Sequence, residues 1–310
     1  MSVATGEVRR FDAVDGVAAA TMVLLTLSWG LNGVLVKLSN VGFNPVLVTA
    51  GRSALAALAV FAWCHWRGVK LWERDGTLPA GLLAGALFGA EFVLIFFAYD
   101  HTTVARGSII MNTMPFMVLV AGHFLLGEAL TLRKLAGLTV AFLGLILVFS
   151  DKLSLPSADA LKGDLMMLVA AAIWAATTIV IKGSKLSQVS AEKTLLYQLA
   201  VSTVFALPLI PLGGPLLREV GWLAVSSFLV QAFYVVAFTY MLWFWLMRRY
   251  PASGLSSFAV LSPVFGVLGG AVFLGEPLTW RIFAALVLIA VGLYVVNRPG
   301  RPQPEEAGHA

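Results

Sequence analysis

Three side chains in the first half of the chain place charge or amide chemistry inside otherwise apolar runs: Arg52, Glu91 and Asn112. Arg52 lies about seven residues into the run 45–65, Glu91 about nine residues from the far end of 78–99, and Asn112 eight residues into 104–126. At 1.5 Å per helical residue, Arg52 is roughly 10 Å deep and Glu91 roughly 13 Å, with Asn112 at a similar depth in the same half of a bilayer. An ionisable residue inside a membrane is a functional hypothesis by default. Arg52 would meet a carboxylate and Glu91 an ammonium, so together they would hold a zwitterion. Glu91 is also placed to carry a proton. The plainer alternative is that the two pair with each other as a structural bridge.

A second polar set repeats across the chain. Trp29 and Asn32 are three residues apart, as are Trp174 and Thr177, and such pairs share one helix face. These faces either line a path from both halves, or bury the tryptophans and bond the polar groups to a neighbouring helix. Gln231, Tyr234 and Phe238 recur at helical spacing and predict a semi-polar cavity wall. Trp243 and Trp245, beside Arg248 and Arg249, read as an interfacial belt. Pro115 and Pro263 fall in the middle of apolar runs, where each removes a backbone hydrogen bond and invites a kink, either a hinge or a static bend.

The elements that must position these groups follow from composition. Of 310 residues, 59% are hydrophobic and 12% charged, against about 25% charged in soluble domains, so the surface must be solvated by lipid. Ten apolar runs are long enough to cross a bilayer: 15–38, 45–65, 78–99, 104–126, 132–150, 162–182, 191–212, 219–246, 251–274 and 279–297. The prediction is an all-α integral membrane protein of ten transmembrane helices. The run after Arg9 and Arg10 lacks a convincing small-residue cleavage site and reads as a retained first helix. Residues 298–310 are rich in Pro, Gly and Glu and predict a disordered cytoplasmic tail.

Charge gives orientation rather than a nucleic-acid partner, because the basic residues behind the +5 net charge lie between the apolar runs. With ten crossings and cytoplasmic termini, fourteen Lys and Arg fall inside and six outside, Arg52 being left within a helix. One cysteine, Cys64, excludes an intrachain disulfide and a cysteine metal cluster. No metal or cofactor is expected, and the partners expected are a small-molecule substrate and membrane lipids.

The chain also repeats itself. Ser108–Phe149 aligns without a gap on the stretch starting at Ser256: Pro115 meets Pro263, Leu126-Gly127-Glu128 meets Leu274-Gly275-Glu276, Leu130-Thr131 meets Leu278-Thr279, and Gly144 meets Gly292. Trp29 matches Trp174 and Lys37 matches Lys182. Each copy, 15–150 and 162–297, holds five helices. Five is odd, so the copies enter the membrane in opposite orientations, the arrangement of alternating-access transporters. Glu128 and Glu276 are expected to bond exposed backbone amides at the turns that follow their helices. Lys37 and Lys182 are expected to snorkel.

Two five-helix copies carrying L-G-E-x-L-T near the fourth-to-fifth helix junction resemble the EamA family of the drug/metabolite transporter superfamily, over about residues 16 to 297. The resemblance implies a secondary transporter of the bacterial inner membrane. The chain looks most like the amino-acid exporters, the aromatic-amino-acid type being one candidate. Export of lipophilic cations or drugs is the alternative within transport, although Arg52 beside Glu91 argues against it. A channel or a membrane-embedded enzyme is the alternative outside it, and short loops with scattered histidines disfavour an enzyme. A duplicated chain already holds both halves and is expected to work as a monomer.

Overall fold

Lipid offers no hydrogen bonds, so each crossing must satisfy its own backbone, and helices do this. A computed structural model describes residues 11–150, 157–274 and 280–298. Among these, the first five crossings are α1 (Gly16–Gly42), α2 (Pro45–Arg67), α3 (Leu78–His101), the pair α4 (Val104–Met111) and α5 (Met114–Leu126), and α6 (Leu132–Phe149). The next five are α7 (Ala158–Gly183), α8 (Ala191–Ala206), then α9 (Trp222–Val230) with α10 (Tyr240–Met247), then α11 (Ala252–Ser257) with α12 (Leu261–Leu274), and finally α13 (Trp280–Asn297). Strand-like pairing among the described residues is limited to one bridge, Phe43 with Leu217. Nine described spans are long and apolar enough to cross a membrane, and α1, with 27 residues, is the tenth crossing.

The ends of these helices are written locally. Asp15, Asn44, Thr131, Ser157 and Ser190 each accept a backbone N–H in the first turn that follows, which satisfies donors the helix cannot. Gly68 and Gly127 close α2 and α5 in the left-handed region, at φ 66° and 70°, where other residues are strained.

The two copies are inverted. A Cβ on Gly137 of α6 would meet Gly292 and Val296 of α13, and one on Gly144 would meet Ala285 and Ile289. Numbers rise along one helix as they fall along the other, so the fifth helix of each copy runs antiparallel to its counterpart. The second helices agree, since Val46 and Ala50 at the start of α2 pack with Ala206 at the end of α8. Packing between copies is also exchanged about this axis: α1 lies on α9 and α12, while α7 lies on α3 and α5. The glycine ladder Gly81, Gly85 and Gly89 of α3 packs closely on Tyr197, Val201 and Phe205 of α8.

Three expectations are corrected by this architecture. Pro115 does not interrupt a continuous helix: it stands second in α5, which restarts after the turn at Asn112 and Thr113, where a missing N–H costs little. Pro263, by contrast, stands third in α12, in a helical run that continues from α11 through the tighter stretch Phe258–Val260. Lys182 does not snorkel to water. Its ammonium donates to the carbonyls of Met247, at 2.6 Å, and Tyr250, beyond the end of α10. Glu128 does bond exposed amides, but those of the other copy. It accepts from Ala252 N at 2.6 Å and Ser253 N at 3.0 Å, and from the Ser253 hydroxyl, at the start of α11. Glu276, Thr279 and the tail from 299 lie outside the described residues, as does the side chain of Lys37.

Candidate functional site

Arg52 sits eight residues after its helix cap, Asn44, on the face of α2 turned from lipid, and is 3% exposed. Glu91 of α3 is 5% exposed. The two are not bridged: among the described residues, the ion pairs involve other groups. The Arg52 guanidinium instead lies over the Phe92 ring, 4.4 Å from its centroid, a cation–π contact that gains strength away from water. Its Nε is buried without a hydrogen-bond partner. Glu91, Arg52 and the Tyr240 hydroxyl are close enough to act on one another electrostatically.

Aromatic rings close around these charges. Phe92 stacks edge-on with Phe88 at 4.9 Å, Phe88 meets Tyr240 at 5.7 Å, and Tyr240 meets Trp29 at 5.7 Å. Trp29 donates its indole N–H to Thr239, 2.9 Å away, and packs edge-on against Trp243. The first copy supplies Trp29, Arg52, Phe88, Glu91 and Phe92, and the second supplies Thr239, Tyr240 and Trp243. Thr239 ends a π-helical stretch, Gln231–Thr239, a widened geometry that recurs at functional sites.

Of the residues predicted from sequence, Trp29, Arg52 and Glu91 come together here. Asn32 and Asn112 each bury a side-chain oxygen that lacks a partner; Asn112 stands in the break between α4 and α5, with its amide donating to Ser108 O. Trp174 packs elsewhere, with the methionines Met111, Met114 and Met117. Thr177 bonds its own helix at Ile173 O.

The predicted wall of Gln231 and Tyr234 is not formed. Gln231 is buried and donates to Leu35 O and the Ser39 hydroxyl, tying the eighth crossing to α1. Tyr234 is 43% exposed, with Phe238 beside it, and only its hydroxyl turns inward, to Ser28. The π-helical register rotates these residues off the single face that α-helical spacing assigned them. Trp243 is 5% exposed and belongs to the cluster, whereas Trp245 lies under Arg249 near the helix end.

Sequence reasoning missed Phe88, Phe92 and Tyr240. The first two flank Glu91 at i−3 and i+1, and Phe88 and Phe92 are themselves one turn apart, a spacing that marks an aromatic face.

Both ends of the bundle are tied between copies. On the end where α1 begins, the Tyr250 hydroxyl donates to Asp15 at 2.7 Å and Phe11 stacks on Tyr250. The Ala18 amide, and then Tyr250, hold the Asp15 carboxyl below its ordinary value, while burial, then Asp15, pushes the Tyr250 phenol up. Lys193 also grips Asp75 at 2.8 Å on this end. On the opposite end, Thr102 donates to Asp164 at 2.7 Å and Arg106 pairs with the same carboxylate.

Ten crossings in two inverted copies, with unbridged charge buried in the bundle, define a multi-pass membrane protein. The model of the EamA-like transporter family matches residues 16–150 and 161–298, and the chain belongs to that family. It is 29% identical over 294 residues to a "Probable amino-acid metabolite efflux pump" of Salmonella typhimurium, covering 91% of this chain and 94% of the relative. A protein of the same description in Escherichia coli is 28% identical, over 91% and 94% of the two chains. An "Uncharacterized transporter YoaV" of Bacillus subtilis is 25% identical, over 88% and 94%. One solved crystal structure superposes with a TM-score of 0.78 over 91% of this chain and 96% of that chain; at 18% identity it speaks to the fold alone.

Proposed function

We propose that the protein exports amino acids or similar small zwitterionic metabolites across the bacterial inner membrane by alternating access, working as a monomer with both termini cytoplasmic. The observation that carries this reading is the buried pair Arg52 and Glu91, opposite in charge, adjacent on α2 and α3, and not joined to each other. A buried charge without a direct partner is costly, and an amino acid brings both partners at once: a carboxylate for Arg52 and an ammonium for Glu91. The rings of Trp29, Phe88 and Tyr240 offer an apolar surface beside the charged groups. The relatives described as amino-acid metabolite efflux pumps agree with this substrate class.

Basic residues support the orientation. The end where α1 begins carries Arg67, Lys70, Arg74, Arg133, Lys134 and Arg248 among others, and the opposite end carries Arg106, Lys162, Arg218 and Arg281. The test is counterflow of labelled amino acids in proteoliposomes holding the full chain. Saturable exchange that Arg52→Ala removes is the expected outcome. Movement of no amino acid would sink the reading, and an Arg52→Ala variant that still exports lipophilic cations would favour the cation alternative.

A further inference from the structure

We propose that the chain holds one anionic phospholipid on its lipid-facing surface, with an acyl chain in the groove between α2 and α8 and the phosphate on the basic residues at the end of α2. This goes beyond the transport reading and does not depend on it.

The groove lies where the copies meet. Ala54, Ala57, Leu58 and Phe61 of α2 face Ala200 and Thr203 of α8 across a volume of about 390 Å³. Phe61 follows Arg52 by nine residues, half a turn round the helix, so the groove is on the face opposite the charged site. Thr203 spends its hydroxyl on Leu199 O, 2.7 Å away, and the rest of this wall is apolar. A polar ligand would find no partner there. A lipid tail, as apolar as a leucine side chain, covers the groove without desolvating any polar group.

The two walls are equivalent and the two ends are not. Counted from the caps Asn44 and Ser190, Ala54 matches Ala200 and Ala57 matches Thr203. By the same count Trp63, Trp66 and Arg67 match Leu209, Leu212 and Gly213. The groove therefore opens at one end onto tryptophan and arginine, and at the other onto the apolar 3-10 stretch Leu207–Gly213. Near that second end Arg218 is occupied, donating to Asn40 O and Gly213 O at 3.2 Å each.

At the first end, where α1 begins, the Trp63 and Trp66 rings lie 5.3 Å apart and the Arg67 guanidinium lies over Trp63. Trp66 is 73% exposed and Trp72, in the following loop, 88%. Val69 and Leu71 of that loop pack on the core, Lys193 grips Asp75 at 2.8 Å, and Thr77 bonds Tyr197 at 3.1 Å. Lys70, Trp72 and Arg74 are thus presented outward on a fixed frame. The acids nearby are engaged: Glu73 pairs with Lys70 at 3.1 Å, Asp75 with Lys193, and Glu192 acts on Arg248. Among the described residues, the ion pairs leave Arg67 and Arg74 without a carboxylate. Indoles favour the headgroup level of a bilayer, and arginines there attract anionic headgroups. The phosphate answers the uncompensated charge, and the tail answers the groove.

The test is native mass spectrometry of the purified full chain, incubated in detergent with dioleoyl phosphatidylglycerol or with dioleoyl phosphatidylcholine. One phosphatidylglycerol per chain is expected, retained at least about tenfold better than phosphatidylcholine. The double variant Arg67→Gln with Arg74→Gln should lower that preference about tenfold. Ala200→Phe fills the groove from its lipid-facing side and should lower retention of both lipids, with Ala57→Leu as a second, smaller filling. Equal retention of the two lipids by wild type would overturn the headgroup site. Retention unchanged in a folded Ala200→Phe or Ala57→Leu protein would overturn the groove. Displacement of the lipid by an equal concentration of sn-glycerol 3-phosphate would show that a phosphate alone suffices, and would overturn the acyl-chain part. A protein dimer that carries no lipid and is split by Ala200→Phe would assign the groove to a second copy instead.

Discussion

The two copies share a backbone plan and differ in what they carry at mid-membrane. Eight residues after the cap of α2 stands Arg52; eight residues after the cap of α8, Ser190, stands Gln198. Both are buried and each keeps an unpartnered polar atom, Nε in one and Oε1 in the other. Only the first copy places an acid near its cation. Beside it, Trp29-Gly30 of α1 corresponds to Trp174-Ala175 of α7. Gly30 lets the backbone of α12 approach so closely that a Cβ would lie 2.3 Å from Ser262 O, whereas Ala175 is buried in a cluster that includes Met114 and Val118. Duplication supplied a symmetric scaffold, and the chemistry was then placed on one side of it.

The sharpest way to break this comparison is to treat the equivalent positions alike. Arg52→Ala is expected to lower amino-acid counterflow about a hundredfold or more, since losing one partner of a buried charged contact costs about 2–5 kcal/mol and about 1.4 kcal/mol is tenfold. Gln198→Ala should lower it less than about tenfold, the worth of a neutral hydrogen bond. Equal losses in both variants would mean that the copies contribute symmetrically and that the assignment of the charged site to the first copy is wrong.

Packing sharpens the same contrast at smaller energy. Gly30→Ala must displace the backbone of α12 and is expected to cost about 1–3 kcal/mol. Ala175→Gly removes one methyl and loosens a helix, costing about 1 kcal/mol. Thermal unfolding in one detergent compares them directly, and a Gly30→Ala protein as stable as wild type would refute the close approach. Glu128→Ala should come next, at about 0.5–2 kcal/mol, because it uncaps α11. Its effect belongs to the contact between copies, so a double variant with Ser253→Ala should be less than additive.

Most of the fold was legible from spacing alone. Apolar runs of bilayer length, an odd number of them per copy and the doubled Leu-Gly-Glu block lead to an inverted bundle, because lipid leaves helices few alternatives. Arg52 and Glu91 were legible for the same reason: charge in an apolar run stands out, whether it meets a substrate or an internal partner. What could not be read was rotation. Gln231 and Tyr234 share a face only if the helix is regular, and the π-helical stretch breaks that premise. Trp243 sits near a helix end by sequence and yet faces Trp29, because the ring's direction depends on a partner some two hundred residues away. The acceptors of Glu128 were hidden likewise: a motif names the carboxylate but not the amides, which belong to the other copy.

The two ends of the bundle extend the comparison, and they differ in how charge is used. At the end opposite the start of α1, an arginine and a threonine grip Asp164. At the other end the corresponding tie between copies is a phenol on Asp15, and a separate pair, Lys193 with Asp75, holds the loop before α3 to α8. Lys193, and then Thr77, keep the Asp75 carboxyl well below the usual carboxylate range. A lowered value means that the stability it contributes is present above the ordinary carboxylate value of 3.8 and is lost as pH falls through the lowered one. Unfolding temperature should therefore be insensitive to this pair from neutral pH down to about pH 5 and decline below about pH 4. Asp75→Asn should remove that part of the decline while costing about 1 kcal/mol or less at neutral pH, since the carboxylate is partly exposed. An acid limb unchanged in Asp75→Asn would mean that this end is held by Asp15 and Tyr250 instead.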